Sequence, residues 1–282
     1  MSAFRDLFES GHFVVAVGAH DPLTARLIEH AGFDAVVVGG YAAASSLLGM
    51  PDIDLVGFEA MLQRVRAVAR VTALPIYADG DTGYGGIPNL IRTVQEYENA
   101  GAAMIQLEDQ IMPKRCGHMA GKEVVSRQDW IARIKAAVEA RHTMLIAART
   151  DAIAAVSLDE AIWRGNAARD LGADIIFVEA MHTEKDMENI NRAIDAPTII
   201  NQVEGGVTPL LPHSTLRDLG FSMVIHPCLL TYRIAHAVKD LLTRFRSSGD
   251  SSQFLDEILP FSEFNDLVGL TEIRHQEKRY RL

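Results

Sequence analysis

The chain has 282 residues, 48% apolar and 23% charged, enough apolar material for one large core or two smaller ones. Lys plus Arg number 27 against 37 Asp plus Glu, a formal charge of −10, which argues against a protein that lives on nucleic acid or an anionic membrane. Two cysteines exclude a disulfide scaffold, no window approaches a membrane-spanning run, and the charged start (Arg5, Asp6, Glu9) does not read as a signal peptide; a soluble protein of the reducing cytoplasm is expected.

Along the chain, short apolar runs rich in β-branched residues alternate with amphipathic stretches, the pattern of βα units around a parallel sheet. In order, strands are predicted near Phe13–Val17, Ala35–Gly39, Pro75–Asp79, Met104–Glu108, Met144–Arg149, Asp174–Glu179, Thr198–Asn201 and Met223–His226. Each is followed by a plausible helix. Helix ends are marked by Gly32, Gly101, Gly172 and Gly220, each poised to turn the chain back into the sheet. Helix starts show in Ser157 with Glu160, in Ser126 with Asp129, and in Pro88 ahead of Leu90, Ile91, Val94 and Tyr97. Eight such units with no linker between halves predict one (β/α)8 TIM barrel spanning 1–282, since closure leaves no edge strand. From about residue 250 the pattern gives way to short charged helices, a C-terminal tail over 250–282 expected to pack on the barrel or on a partner subunit.

In a parallel barrel the active site lies at the carboxyl ends of the strands. Polar residues concentrate there: Asp79 and Asp81, Glu108 and Asp109, Arg149 and Asp151, Glu179, Asn201 with Glu204, and His226. Carboxylates converging on one rim repel one another unless a cation sits among them, and oxygen donors without a His or Cys cluster point to Mg²⁺ or Mn²⁺. The segment Asp79-Gly80-Asp81-Thr82-Gly83 is the best candidate. It lacks the spacing of a dinucleotide fingerprint and the Lys-Ser/Thr ending of a phosphate loop. His20, His226 and His236 form no zinc-ligand pair, and only His226 is left open as a site-lining residue.

The connection from Asp109 to Val125 is much longer than the ordinary 2–6 residues of a βα loop, which marks it as a functional lid. It carries Lys114-Arg115-Cys116-Gly117-His118. Lys114, Arg115 and His118 around the thiol are expected to lower its pKa below the usual value of about 8.5. Cys228, without cationic neighbours, reads as a small core residue.

Further motifs are Gly39-Gly40-Tyr41 with Gly49-Met50-Pro51-Asp52, Leu107-Glu108-Asp109-Gln110, Ala148-Arg149-Thr150-Asp151, Phe177-Val178-Glu179-Ala180, and Asn201 through Pro209. Together with the aspartate segment and the cysteine loop they resemble the isocitrate lyase/phosphoenolpyruvate mutase superfamily over nearly the whole chain. The likeness is greatest to its branch of 2-methylisocitrate lyase, 2,3-dimethylmalate lyase and petal death protein. The resemblance implies a (β/α)8 homotetramer with the eighth helix exchanged between paired subunits. It implies Mg²⁺-dependent cleavage of a C–C bond in a 2-hydroxy dicarboxylate, releasing pyruvate and a second carboxylic acid. Asp79 becomes the direct metal ligand, with Asp52, Asp81 and Glu108 around the metal, and Cys116 the general acid. Gly39, Gly40, Tyr41 and Arg149 hold the keto-acid half, and Lys114, Gly117, His118, Glu179, Asn201 and Glu204 complete the substrate shell. The base that takes the hydroxyl proton stays open between Tyr41, Glu108 and a metal-bound water. Two positions depart from the lyase pattern: Gly39 stands where many carry serine, and Gln106 where methylisocitrate lyases carry histidine. Oxaloacetate hydrolysis or decarboxylation, a phosphonomutase-like activity, and a non-catalytic member are the alternatives.

Overall fold

The computed structural model describes residues 3–119 and 121–281. Eight parallel strands close into a barrel in sequence order: β1 (Val14–Gly18), β2 (Ala35–Val38), β3 (Ile76–Asp79), β4 (Met104–Glu108), β5 (Leu145–Thr150), β6 (Ile175–Val178), β7 (Thr198–Asn201) and β8 (Met223–His226). The last pairing, Val14 with Met223 through Val17 with His226, shuts the sheet on itself. Helices run between the strands, as the alternating pattern predicts.

The period-2 pleat turns alternate residues inward. Ala16, Val37, Tyr77, Met104, Ala147, Phe177, Ile199 and Ile225 lie in one apolar cluster inside the barrel. An N-terminal helix (Ala3–Glu9) that the strand pattern does not announce adds Phe4 to that cluster. Its Arg5 and Phe8 lie beside Leu145, Asp174 and Pro197, at the amino ends of β5, β6 and β7. The candidate site residues lie at the other end of the barrel.

Local signals behave as their chemistry requires. Ser157 accepts the Glu160 amide and Ser126 the Asp129 amide, each at 3.1 Å, and Pro88 sits in the first turn of the helix Ile87–Ala100. That helix stops at Gly101, whose φ of 103° is open to glycine at no steric cost.

The chain divides into two compact units between Leu229 and Leu230, ahead of residue 250 where the sequence pattern changes. The first holds the barrel. The second is helical: most of the helix Leu229–Ser248, a 3₁₀ segment at Ser251–Glu257, and the helices Phe261–Leu267 and Leu270–Tyr280. Within it Phe245 meets Phe254 edge to face at 6.3 Å. Among the described residues no helix is long and apolar enough to cross a membrane.

Candidate active site

Strand register brings the polar residues together. In β3 and β4 Asp79 stands beside Gln106, and in β4 and β5 Glu108 stands beside Arg149. Asp79 Oδ2 accepts the Gly40 amide at 3.1 Å, which ties the end of β3 to the helix that begins after Gly39. Asp81 follows in the left-handed region at φ 48°, a strained conformation for a residue with a Cβ.

The lid from Asp109 to Val125 lies docked over this mouth. Lys114 reaches in, and its ammonium stands 2.7 Å from both Asp52 and Asp81. Burial pulls its pKa down, but Asp81, Asp79 and Asp52 outweigh burial and hold it well above the ordinary lysine value. Asp81, equally buried, is pushed up to about 6 despite Lys114. Lys114 was expected beside the thiol; its long stem instead carries the charge into the carboxylates.

A second lysine, Lys122, has no counterpart in the sequence reading. It donates to Asp151 at 2.7 Å and to the Gly117 carbonyl, pinning the far side of the lid. Asp151 also holds Arg149, through Nε at 3.0 Å and Nη2 at 3.2 Å. The remaining edge of Arg149 faces Glu108 at 3.2 Å and Glu179 at 3.5 Å. Burial lowers the Arg149 pKa less than Asp151, Glu108 and Glu179 raise it, so the guanidinium is fixed in charge as well as place. Behind it, Asp109 accepts Thr150 Oγ1 at 2.6 Å, the Asp151 amide at 2.9 Å and Arg164 at 3.1 Å. This brace is buried and spans β4, β5 and the helix Leu158–Asp170.

His118 closes the ring. Its Nδ1 accepts the Val207 amide at 3.1 Å, which places the proton on Nε2 facing Glu179 at 3.5 Å. Gly117 sits so close to Arg149 and Glu179 that a Cβ there would lie 2.4–2.6 Å from their side-chain atoms.

The thiol of Cys116 behaves opposite to expectation. Burial raises its pKa, and Asp52 and Glu179 add to that, against a hydrogen bond from the His118 backbone and the charge of Arg149. Lys114 spends its charge on Asp52 and Asp81 rather than on the thiol. Burial therefore favours the protonated form of Cys116.

Gly39, Gly40, Tyr41, Asp52, Asp79, Glu108, Lys114, Cys116, Gly117, His118, Arg149, Glu179 and Asn201 line one cavity of about 60 Å³. Asp81 joins the group through Lys114. Glu204 does not line the cavity; it turns to His226 Nδ1 at 3.7 Å, whose Nε2 meets His213 at 2.9 Å. Cys228 is buried as expected but borders the cavity. Tyr77 and Gln106, polar side chains inside strands, form its floor.

The donors fit a hard divalent cation in kind: they are all carboxylates, and Glu108 Oε1 is buried without a hydrogen-bond partner. Among the described residues the carboxylates gather on the Lys114 ammonium, and no three His, Cys, Asp or Glu side chains form a metal-ligand set.

A closed (β/α)8 barrel with a carboxylate-rich mouth, a buried arginine and a cysteine-bearing lid defines an enzyme acting on small molecules at the carboxyl ends of its strands. The chain belongs to the phosphoenolpyruvate mutase/isocitrate lyase superfamily: the family model described as phosphoenolpyruvate phosphomutase matches residues 4–246. It is 45% identical over 278 residues to 2,3-dimethylmalate lyase of Eubacterium barkeri, covering 98% of this chain and 96% of that protein. Oxaloacetate acetylhydrolase, solved with 3,3-difluorooxalacetate, superposes with a TM-score of 0.93 at 33% identity, covering 98% of this chain and 96% of that one. Phosphonopyruvate hydrolase, solved with oxalate and Mg²⁺, gives a TM-score of 0.90 at 29% identity, covering 99% and 98%.

Proposed function

We propose that the chain is a divalent-cation-dependent carbon–carbon lyase that cleaves a 2-hydroxy dicarboxylate of the 2,3-dimethylmalate type to pyruvate and a second carboxylic acid. The observation that carries this reading is that Cys116, on the long loop after β4, lines one small cavity with Arg149 and the carboxylates Asp52, Asp79 and Glu108. Breaking the C2–C3 bond leaves a carbanion on the departing acid, and a positioned acid must protonate it. A thiol held in its acid form meets that need.

Mg²⁺ or Mn²⁺ held by Asp79, with Asp52, Asp81 and Glu108 around it, would supply Lewis-acid stabilisation for the alkoxide from which cleavage begins. Arg149, lining the cavity and fixed in charge by three carboxylates, orients a substrate carboxylate. Gly39, Gly40 and Tyr41 hold the keto-acid half, while Glu179, Asn201 and His118 bound the other side. Tyr41 and Glu108 share the cavity and are the protein groups we assign to take the hydroxyl proton. A lid closed over bound substrate would exclude water and strengthen these interactions. Glu204, turned to His226, contributes only through that histidine.

A homotetramer is proposed on the helix Leu229–Ser248, which buries none of its residues and presents Leu242 at 60% and Val238 at 47% exposure. That face is the element we assign to exchange between paired subunits. Two free cysteines support a reducing, cytoplasmic location. The test of the activity is a lactate-dehydrogenase-coupled assay of pyruvate release from 2,3-dimethylmalate, 2-methylisocitrate, citramalate and oxaloacetate with Mg²⁺. Pyruvate from a branched 2-hydroxy acid is the expected result. The likeness to oxaloacetate acetylhydrolase favours a second reading, and oxalate and acetate from oxaloacetate, with no pyruvate from any hydroxy acid, would establish it instead.

A further inference from the structure

The cavity floor holds two side chains that the proposed chemistry does not use, Tyr77 of β3 and Gln106 of β4, exposed by only 1% and 3%. Register sets Gln106 beside Asp79 and Tyr77 one inward position below it, next to Met104. The Tyr77 hydroxyl donates to Gln106 Oε1 at 2.5 Å, and Gln106 Nε2 donates to Asp79 Oδ1 at 3.1 Å. The same Asp79 oxygen accepts the Asp81 amide at 3.1 Å, while Oδ2 takes the Gly40 amide.

The direction of this relay follows from the groups themselves. An ionised carboxylate only accepts, so the carboxamide must turn its NH₂ toward Asp79. Its carbonyl oxygen then faces Tyr77, which must donate. The reverse orientation would oppose two acceptors. Packing alone does not call for such a pair, because two apolar side chains would fill the space without desolvating an amide and a hydroxyl.

We propose that Tyr77 and Gln106 are positioning residues that fix the plane of the Asp79 carboxylate for a divalent cation. The inference rests on the reading of Asp79 as the cation's ligand. Tyr77 sets the amide, the amide holds one oxygen of Asp79, and the backbone of Gly40 holds the other. Removal of such an outer partner typically weakens metal binding by about 10- to 100-fold.

The test is Mn²⁺ binding to the full chain, followed by the electron-paramagnetic-resonance signal of free Mn²⁺, with circular dichroism as the folding control. Gln106→Leu removes the donor and should weaken Mn²⁺ binding by about 10- to 100-fold. Tyr77→Phe keeps the donor but frees the amide to turn, and should weaken binding by a smaller factor. Gln106→His offers one acceptor and one donor nitrogen on a single ring, so it should stay within a few-fold of wild type. Wild-type affinity in a folded Gln106→Leu protein overturns the proposal, as does equal weakening in the Leu and His variants. If Gln106→Leu does not fold, Tyr77→Phe decides: Mn²⁺ binding weaker than wild type is expected, and wild-type affinity in the folded variant overturns the proposal. Failure of the wild-type chain to bind Mn²⁺ removes the cation reading itself, and the positioning role with it.

Discussion

At Gly117 the backbone of the lid comes closest to the Arg149 and Glu179 side chains, and Gly117→Ala is the smallest change that tests whether docking matters. An ideal Cβ there would stand 2.4 Å from Glu179 Cγ, 2.5 Å from Arg149 Nη2 and 2.6 Å from Glu179 Oε2. Ordinary carbon contacts lie near 3.5–4.0 Å, so something must move by about 1 Å. Neither neighbour is free to give way. Arg149 is bound to Asp151 and Glu108, and Glu179 accepts from the Ala180 amide and from Asn201. The lid must therefore lift, stretching Lys122 from Asp151 and Lys114 from Asp52. Displacing a positioned acid by about 1 Å costs on the order of 10²-fold in rate. The expected result is a fall of that order in kcat with the barrel intact. Hydrogen exchange at residues 111–119 should rise while β1–β8 keep their protection. Wild-type kcat with unchanged exchange would refute the claim that Gly117 seats the lid.

Cys116→Ala should lower turnover by about 10²–10⁴-fold while pyruvate affinity survives, since we assign the pyruvate contacts to Arg149 and the Gly39–Tyr41 backbone; equal loss of both would mean that the lid had merely failed to form. The pH profile follows from the raised thiol pKa: an acid works below its pKa and fails above it, so the alkaline limb of kcat should lie above the usual thiol value of about 8.5, and a limb near neutrality would contradict a buried thiol. Exhaustive chelation should abolish turnover, with Asp79→Ala behaving alike, and full activity after chelation would remove the cation from the chemistry.

The barrel was legible because its signals are local. β-Branched runs, capping residues and helix-ending glycines report on their own backbone, and the strand ends needed only the pleat to bring Asp79, Glu108, Arg149 and Glu179 to one mouth. Contacts between residues distant in sequence leave no such local mark. Lys122 meets Asp151 across 29 positions, and no local pattern marks that pairing. Lys114, two residues from Cys116, was assigned to the thiol by proximity, but its flexible stem reaches the aspartates. The Cys116 shift reversed for the same reason: neighbouring cations that are already paired do not outweigh burial. Glu204, close to Asn201 in sequence, lies past the end of β7 and turns to His226. Gln106 was noticed only as a departure from a family histidine. Its role became visible with Tyr77, whose position depends on the register between two strands.

The central claim is that a C–C bond breaks and Cys116 protonates the departing carbon. The most direct measurement is turnover of 2,3-dimethylmalate in D₂O, with pyruvate trapped as lactate and both products analysed by mass spectrometry and NMR. The expected result is one deuterium per propionate, placed at C2 on a single face, with the rate at which this product forms falling in Cys116→Ala. Propionate without solvent deuterium, or deuterium placed equally on both faces, would contradict protonation by a positioned thiol.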